Sequence, residues 1–278
     1  MVNGLGKLLG ISLLGLLLWL PGAAAWADKV VEPLVFAADG SAIAVISLYE
    51  TDPTTQADAV KSFYKISKSF YKTIPGFYGL ALLSSADVAR VMELTQWSDQ
   101  ASYKTFQTSL ASGTGEEDYT KYYEKYASAK GGKGKSNEKE AVSRGEPLLT
   151  ASFAIDQVVS PPGMVSAIPG TMALVQLSDW ATDTPEHQAD LLAVAQATLA
   201  DLPQLYPSPR TAVLLRGIDT THIALLANWG SVAEFSDVDQ VPQLTLATEA
   251  EDVSFTTDSH LYQTVKVITP KAEKYGKG

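Results

Sequence analysis

The chain has 278 residues, no cysteine, and 21 basic against 31 acidic side chains, a formal net charge of −10 at pH 7. That balance argues against nucleic acid and anionic lipid as partners, since both are bound through basic patches. The lack of thiols excludes disulfides, thiolate metal ligands and a lipid-modified N-terminal cysteine, while the length allows two domains that each bury a core.

Residues 1–27 read as a secretory signal peptide. Lys7 precedes the apolar run Leu8–Leu20, Pro21-Gly22 follow, and Ala25-Trp26-Ala27 supplies a small-x-small cleavage pattern. The run is short for a bilayer span of about 20 apolar residues. The expectation is cleavage before Asp28 and an exported protein, in a periplasm, a thylakoid lumen or the extracellular space, with no membrane span after cleavage.

From Asp28 the chain uses one unit twice. Residues 43–106 align without a gap on 175–238, and a shift of 132 carries Pro53 to Pro185, Gln56-Ala57-Asp58 to Gln188-Ala189-Asp190, and Pro75 to Pro207. The same shift carries Leu82-Leu83, Asp87, Leu94, Trp97 and Ala101 to Leu214-Leu215, Asp219, Leu226, Trp229 and Ala233. A register kept from the first strand to the last helix marks internal repetition.

In the first copy Ile43–Tyr49 alternates as a strand, and Thr51-Asp52-Pro53-Thr54 stops it and offers helix caps. Ala57–Tyr71 carries an apolar stripe of helical period at Val60, Phe63, Ile66 and Phe70. Ile74-Pro75-Gly76 ends that helix. Phe77–Leu83 and Val88–Trp97 are the next strands, and Asp99–Leu110 is a short helix. The second copy repeats the order with Met172–Trp180, Pro185–Leu202, Arg210–Arg216, His222–Trp229, a helix from Ser231 and a closing strand Leu261–Ile268. The first copy's closing strand, Phe153–Val159, arrives about 23 residues late. The delay is a flexible insertion at 113–144 containing Gly131-Gly132-Lys133-Gly134.

The expected organisation is therefore a signal peptide at 1–27, a first copy at 28–160, a linker at 161–170 and a second copy at 171–278. Each copy reads as a βαββαβ, ferredoxin-like unit of the α+β class. Such a sheet has helices on one face, and its bare face needs another sheet. Two fused copies supply each other, giving a barrel that is a pseudo-dimer within one chain.

Ile74-Pro75-Gly76-Phe77-Tyr78-Gly79, followed by Glu93-Leu94-Thr95-Gln96-Trp97-Ser98-Asp99-Gln100-Ala101-Ser102-Tyr103, resembles the antibiotic biosynthesis monooxygenase family, whose fold is the dimeric α/β barrel. The second copy is similar but worn: Pro207-Ser208-Pro209 replaces the turn, while Trp229, Ala233 and Phe235 persist. The resemblance implies either a cofactor-free oxygenase acting on a quinol or electron-rich aromatic, or a haem-degrading enzyme. In the haem-degrading members a Trp at the position of Trp97 presses on the porphyrin, with an Asn on the first strand and a His on the following helix. Here the first strand offers Ser47 and Tyr49 instead, and no His follows Trp97. A single axial His remains open, as in chlorite dismutase, which shares the doubled barrel.

Alternation places Val91, Glu93, Thr95 and Trp97 on one face of their strand. If Trp97 points into the barrel, Glu93 does too, and a carboxylate in an apolar cavity can act as a base toward a phenol. The second copy has Leu225 at that position. The catalytic candidates are thus Glu93 and Trp97, with Tyr49, Arg90 and Trp229 as substrate-binding candidates. The plain alternatives are a solvated Glu93 at the barrel rim, tryptophans that only fill a sheet face, and strand-end surface positions for Tyr49 and Arg90. His187, His222 and His260 lack metal-ligand spacing. Tyr119, Tyr122, Tyr123 and Tyr126 form a helical stripe that either packs on the sheet edge or serves as a lid.

The expected function is cofactor-independent oxygenation of a small lipophilic aromatic or quinol. The alternatives are a non-catalytic module that binds a small hydrophobic molecule or a partner, and a haem-binding protein.

Overall fold

A computed structural model describes residues 32–38, 40–112, 146–202, 207–235, 238–246 and 253–270. The signal segment, the insertion and its tyrosine stripe lie outside these residues. In chain order the elements are β1 (Leu34–Val35), β2 (Ile43–Glu50), α1 (Gln56–Phe70), β3 (Phe77–Ser85), β4 (Arg90–Trp97), α2 (Gln100–Ser112) and β5 (Leu149–Val159). There follow β6 (Ala167–Ile168), β7 (Ala173–Thr182), α3 (Pro185–Asp201), β8 (Thr211–Gly217), β9 (His222–Ser231) and β10 (Phe255–Ile268). Among the described residues no helix is long and apolar enough to cross a membrane.

Eight strands close into an antiparallel barrel in the order β10-β3-β4-β2-β5-β8-β9-β7. Each half contributes its second, third, first and fourth long strand in that order, and the two seams are β5–β8 and β10–β3. Closure leaves the barrel no free edge.

Alternation sorts the side chains into three cores. Ile46, Leu48, Leu83, Met92, Leu94, Phe153, Val175, Leu177, Val213, Leu215, Leu226 and Tyr262 cluster without any helical residue, so they fill the barrel interior. On the outer face of β2, β3 and β4, Val45, Leu82, Val91 and Trp97 pack against Val60, Phe63 and Phe70 of α1 and Tyr103 and Phe106 of α2. Leu191, Ala195 and Leu199 of α3 cover Trp180, Leu214, Leu225 and Trp229 in the same way.

Both long helices start under matching local control. The Asp52 carboxylate accepts the backbone N–H groups of Thr54 and Thr55 at 2.7 and 3.0 Å ahead of α1, and Thr184 caps α3 by accepting the His187 N–H, with Pro185 in the first turn. Gln56 then donates its amide to the Arg90 carbonyl at 2.8 Å, and Gln188 donates to the His222 carbonyl at 2.8 Å. Each glutamine thus pins its helix to the turn between the two following strands.

The structure alters four expectations. β2 pairs with β4 as Ile43↔Trp97, whereas Val175 pairs with Asn228, so the first strands correspond by a shift of 131 rather than 132. Tyr49 therefore matches Trp180, and one more residue lies between Trp180 and Gln188 than between Tyr49 and Gln56. Within the expected linker, Ala167–Ile168 is a strand, paired antiparallel with β1 as Val35↔Ala167 and Leu34↔Ile168. Leu34, Phe36 and Ile168 plug one end of the barrel from this small cap. Past Ser231 the expected helix shrinks to the 3₁₀ turns Val232–Glu234 and Val238–Gln240, and buried Val241, Leu244 and Leu246 pack on the same core from a segment without regular secondary structure. Buried Gln176 seats that segment, donating to the Leu244 carbonyl and accepting its N–H at 3.1 Å each. Finally, β5 begins at Leu149 and β10 at Phe255, each earlier than the sequence suggested.

Candidate functional site

Glu93, Thr95 and Trp97 share a face of β4, as alternation requires, but it is the helix-covered face and not the barrel interior. The inward positions of β4 belong to Met92 and Leu94, which pack with the other seven strands. Glu93 is 3 % exposed, so it is not solvated at a rim either. Ser67, the fully buried hydroxyl on α1, donates to Glu93 Oε1 at 3.0 Å.

Beside this pair lies an aromatic cluster centred on Trp97. Its ring stacks on Phe106 at 4.8 Å and meets Phe77, Tyr71 and Tyr103 at 5.6, 6.3 and 5.3 Å. The indole N–H donates to Thr95 Oγ1 at 3.0 Å. Tyr49 lies over the same sheet face, edge-on to Phe63 at 4.8 Å. Gly76 brings the turn before β3 against α2: its φ is +77°, and a Cβ there would lie 2.5 Å from the Ser102 Cβ. That is the physical reason for glycine in the Pro75-Gly76-Phe77 turn.

The second half carries an apolar version of this compartment. A shift of 132 places Leu199 at the Ser67 position, Leu225 at the Glu93 position and Ala227 at the Thr95 position, and all three are buried in the core beneath α3. Both members of the hydrogen-bonded pair are thus replaced together. Trp229 keeps its place, 3 % exposed, but without the threonine its indole N–H has no hydrogen-bond partner among the described residues. Of the five site residues expected from sequence, Glu93, Trp97 and Tyr49 meet in one compartment. Trp229 lies in the other half's compartment.

Arg90 lies on the opposite face, at the barrel mouth away from the cap, in a network that sequence reasoning missed. It forms an ion pair with Asp258. His260 bridges Asp258 through Nε2 and Asp87 through Nδ1, each at 2.9 Å. Asp258 is paired across strands with Asp179, whose carboxylate holds His222 Nδ1 at 2.8 Å. That hydrogen bond raises the His222 pKa above its ordinary value, with burial opposing. Beneath them Tyr262 is fully buried, and burial pushes its phenol up to about 12, against the pull of Arg90. The corresponding positions on β5 are Leu149, Ala151 and Phe153, so β5 carries apolar side chains where β10 carries Asp258, His260 and Tyr262. The alternating Asp258-x-His260-x-Tyr262 was the available signal, lost by starting that strand at Leu261.

The histidines suit a haem poorly. Both ring nitrogens of His260 are held by carboxylates, and His187 Nδ1 is held by Asp183. His222 opens onto a barrel interior filled by Leu226, Leu177 and Phe153. Among the described residues no group of three or more His, Asp or Glu side chains is placed to hold a metal ion.

The fold is a mixed α/β eight-stranded closed barrel, and it is similar to several solved structures. An anthrone oxidase-like protein superposes with a TM-score of 0.60 at 16% identity, over 86% of this chain and 98% of its own. A candidate monooxygenase from Fusobacterium nucleatum gives 0.51 at 10% identity, over 86% and 100%. A Listeria monocytogenes ferredoxin-fold protein related to antibiotic biosynthesis monooxygenases gives 0.37 at 9% identity, over 81% and 95%, too distant to carry an argument. At these identities the likeness concerns the fold alone. No protein-family model matches the chain, and no curated protein does.

Proposed function

We propose that the chain is a fused pair of ferredoxin-like units, exported, whose first half is a cofactor-independent oxygenase for a small lipophilic aromatic or quinol. The matching strand order of the two halves and the paired roles of Gln56 and Gln188 support the duplication. The observation that carries the catalytic reading is the joint replacement of Ser67 and Glu93 by Leu199 and Leu225. The same fold packs well with leucines there, so folding does not call for a buried carboxylate, and chemistry is the remaining reason to keep one.

In this reading Glu93 takes the proton of a phenol or an activated methylene, Ser67 orients the carboxylate, and the aromatic walls exclude water. The resulting anion gives electrons to dioxygen. For an activated methylene, a carbon–oxygen bond forms and the oxygen–oxygen bond breaks. One oxygen remains as the carbonyl, and the other leaves as water with the two hydrogens.

The test is oxygen uptake with a panel of anthrones and hydroquinones. Uptake above the spontaneous rate, reduced about a hundredfold or more by Glu93→Gln, supports the reading; equal uptake by wild type and variant sinks it. The complete enclosure of Trp97 favours a second reading, in which the compartment is only packed core and the chain is a binding or interaction module. A haem-binding role is the weakest reading, because His260 has no ring nitrogen left for iron.

A further inference from the structure

On the outer face of the first half one row of side chains crosses four strands. Direct pairing sets Leu82 of β3 beside Glu93 of β4, Glu93 beside Ser47 of β2, and Ser47 beside Thr150 of β5. Exposure rises along the row: Leu82 is 0 % and Glu93 3 % exposed, Ser47 is half-buried and Thr150 is exposed. The Leu82 end lies under α1, whose Ser67 meets Glu93. The other end carries two hydroxyls, Ser47 Oγ and Thr150 Oγ1, 3.1 Å apart. Neighbouring strands are about 4.8 Å apart, so the Glu93 position is one strand from a half-buried hydroxyl and two from an exposed one.

The second half has the matching row Leu214, Leu225, Ser178 and Ser259, but it is covered beside the leucine. Ser178 is 1 % exposed and donates to the Leu244 carbonyl at 3.5 Å. Gln176 seats that covering segment through both polar groups of the Leu244 backbone. In the structural register Val45 stands where Gln176 does, an apolar side chain in place of the seating amide. The half with the carboxylate keeps its neighbouring serine half-open, and the half with the leucine covers it.

We infer that Ser47 and Thr150 are the polar lip of an entrance to the Glu93 compartment, the side from which a small lipophilic molecule bearing a hydroxyl reaches the carboxylate. The use of this entrance in catalysis rests on the oxygenase reading above. Each lip hydroxyl both donates and accepts a hydrogen bond, so a phenol or quinol loses little on leaving water there. Tyr49, half-buried on the same face of β2, adds an aromatic surface beside Ser47.

The test is the rate at which dicyclohexylcarbodiimide, a small lipophilic carboxyl reagent, modifies Glu93 in the folded full-length protein, read by peptide mass spectrometry. Thr150→Trp places bulk on the lip, at an exposed strand position where an aromatic is tolerated. Lys65→Trp places the same bulk on the exposed face of α1. The expected result is equal modification in wild type and Lys65→Trp, and modification about tenfold slower in Thr150→Trp, which is about 1.4 kcal/mol on the barrier. Unfolding would speed the reaction, so a slower rate reports a blocked path. No modification of Glu93 in the wild type, or a rate in Thr150→Trp equal to or above the wild-type rate, overturns the entrance. Oxygen uptake by Glu93→Gln judges the base role separately: a blocked path with unchanged uptake keeps the entrance and removes the reaction.

Discussion

Gln96 and Asn228 stand 132 residues apart and do the same thing at opposite sides of one small sheet. Gln96 donates its side-chain amide to the Val35 carbonyl at 2.9 Å, and Asn228 donates to the Ala167 carbonyl at 3.1 Å. Val35 and Ala167 are themselves 132 residues apart and directly paired. The 132-residue spacing thus also holds across the cap, outside residues 43–106 and 175–238.

Removing either amide leaves a carbonyl in the cap with one fewer donor, a loss of about 1–3 kcal/mol. Gln96→Ala and Asn228→Ala are expected to lower the urea midpoint by similar amounts. Unequal losses would mean that the two sides of the cap are held differently.

The Ser67–Glu93 pair should behave as a unit. Ser67→Leu alone removes a hydrogen bond to the buried Glu93 carboxylate and costs about 1–3 kcal/mol, whereas Ser67→Leu with Glu93→Leu, copying Leu199 and Leu225, should be neutral or stabilising. A double-mutant cycle by urea denaturation reads the coupling. Additive losses would assign the two groups independent structural roles.

Gly76→Ala combines a left-handed backbone with a Cβ placed 2.5 Å from the Ser102 Cβ. A loss of about 2 kcal/mol or more is expected in thermal or urea unfolding. Ser208→Ala, at the corresponding place in the second half, should change little.

His222 is held above its ordinary pKa, chiefly by its hydrogen bond to Asp179. The folded state therefore favours the protonated ring. The stability from this pair is complete below the unfolded value of about 6.5 and is lost as pH rises through the higher folded value. Urea midpoints measured between pH 5 and 9 should fall with pH across that window, and Asp179→Asn should flatten the dependence. Ring-proton NMR gives the direct check: the His222 midpoint should drop in the variant.

Tyr262→Phe removes a buried hydroxyl that forms no well-aligned hydrogen bond among the described residues. It is expected to alter stability by less than about 1 kcal/mol, whereas Tyr262→Ala opens a cavity costing about 3–5 kcal/mol. The phenol titrating at about 12 should disappear from the absorbance titration of Tyr262→Phe.

Gln56, Leu82 and Trp97 recur legibly in the sequence as Gln188, Leu214 and Trp229 in one register, and the paired glutamines make matching hydrogen bonds in the structure. Alternation on β4 was legible too, but not which side faced inward: from Val91 to Trp97 every residue is buried, so polarity gives no direction. The one-residue slip of β7 escaped because the first strands share no identity in the 132 register, and within β2 only Ser47 and Ser178 match in the structural register of 131. Ser231 and Glu234 form a true capping box, which normally announces a helix, yet here it closes a single 3₁₀ turn. The site was only half legible, since Glu93 was visible in β4 while its partner Ser67 lies 26 residues away on α1 and no spacing rule connects them.

A barrel assembled from two identical chains must carry every side chain twice, so any change in one wall is imposed on the other. One continuous chain is free of that rule. Leucines could settle opposite Ser67 and Glu93, and Asp258, His260 and Tyr262 could line one seam while Leu149, Ala151 and Phe153 line the other. The covalent join between the halves is thus what permits this molecule two different walls, and with them a front and a back.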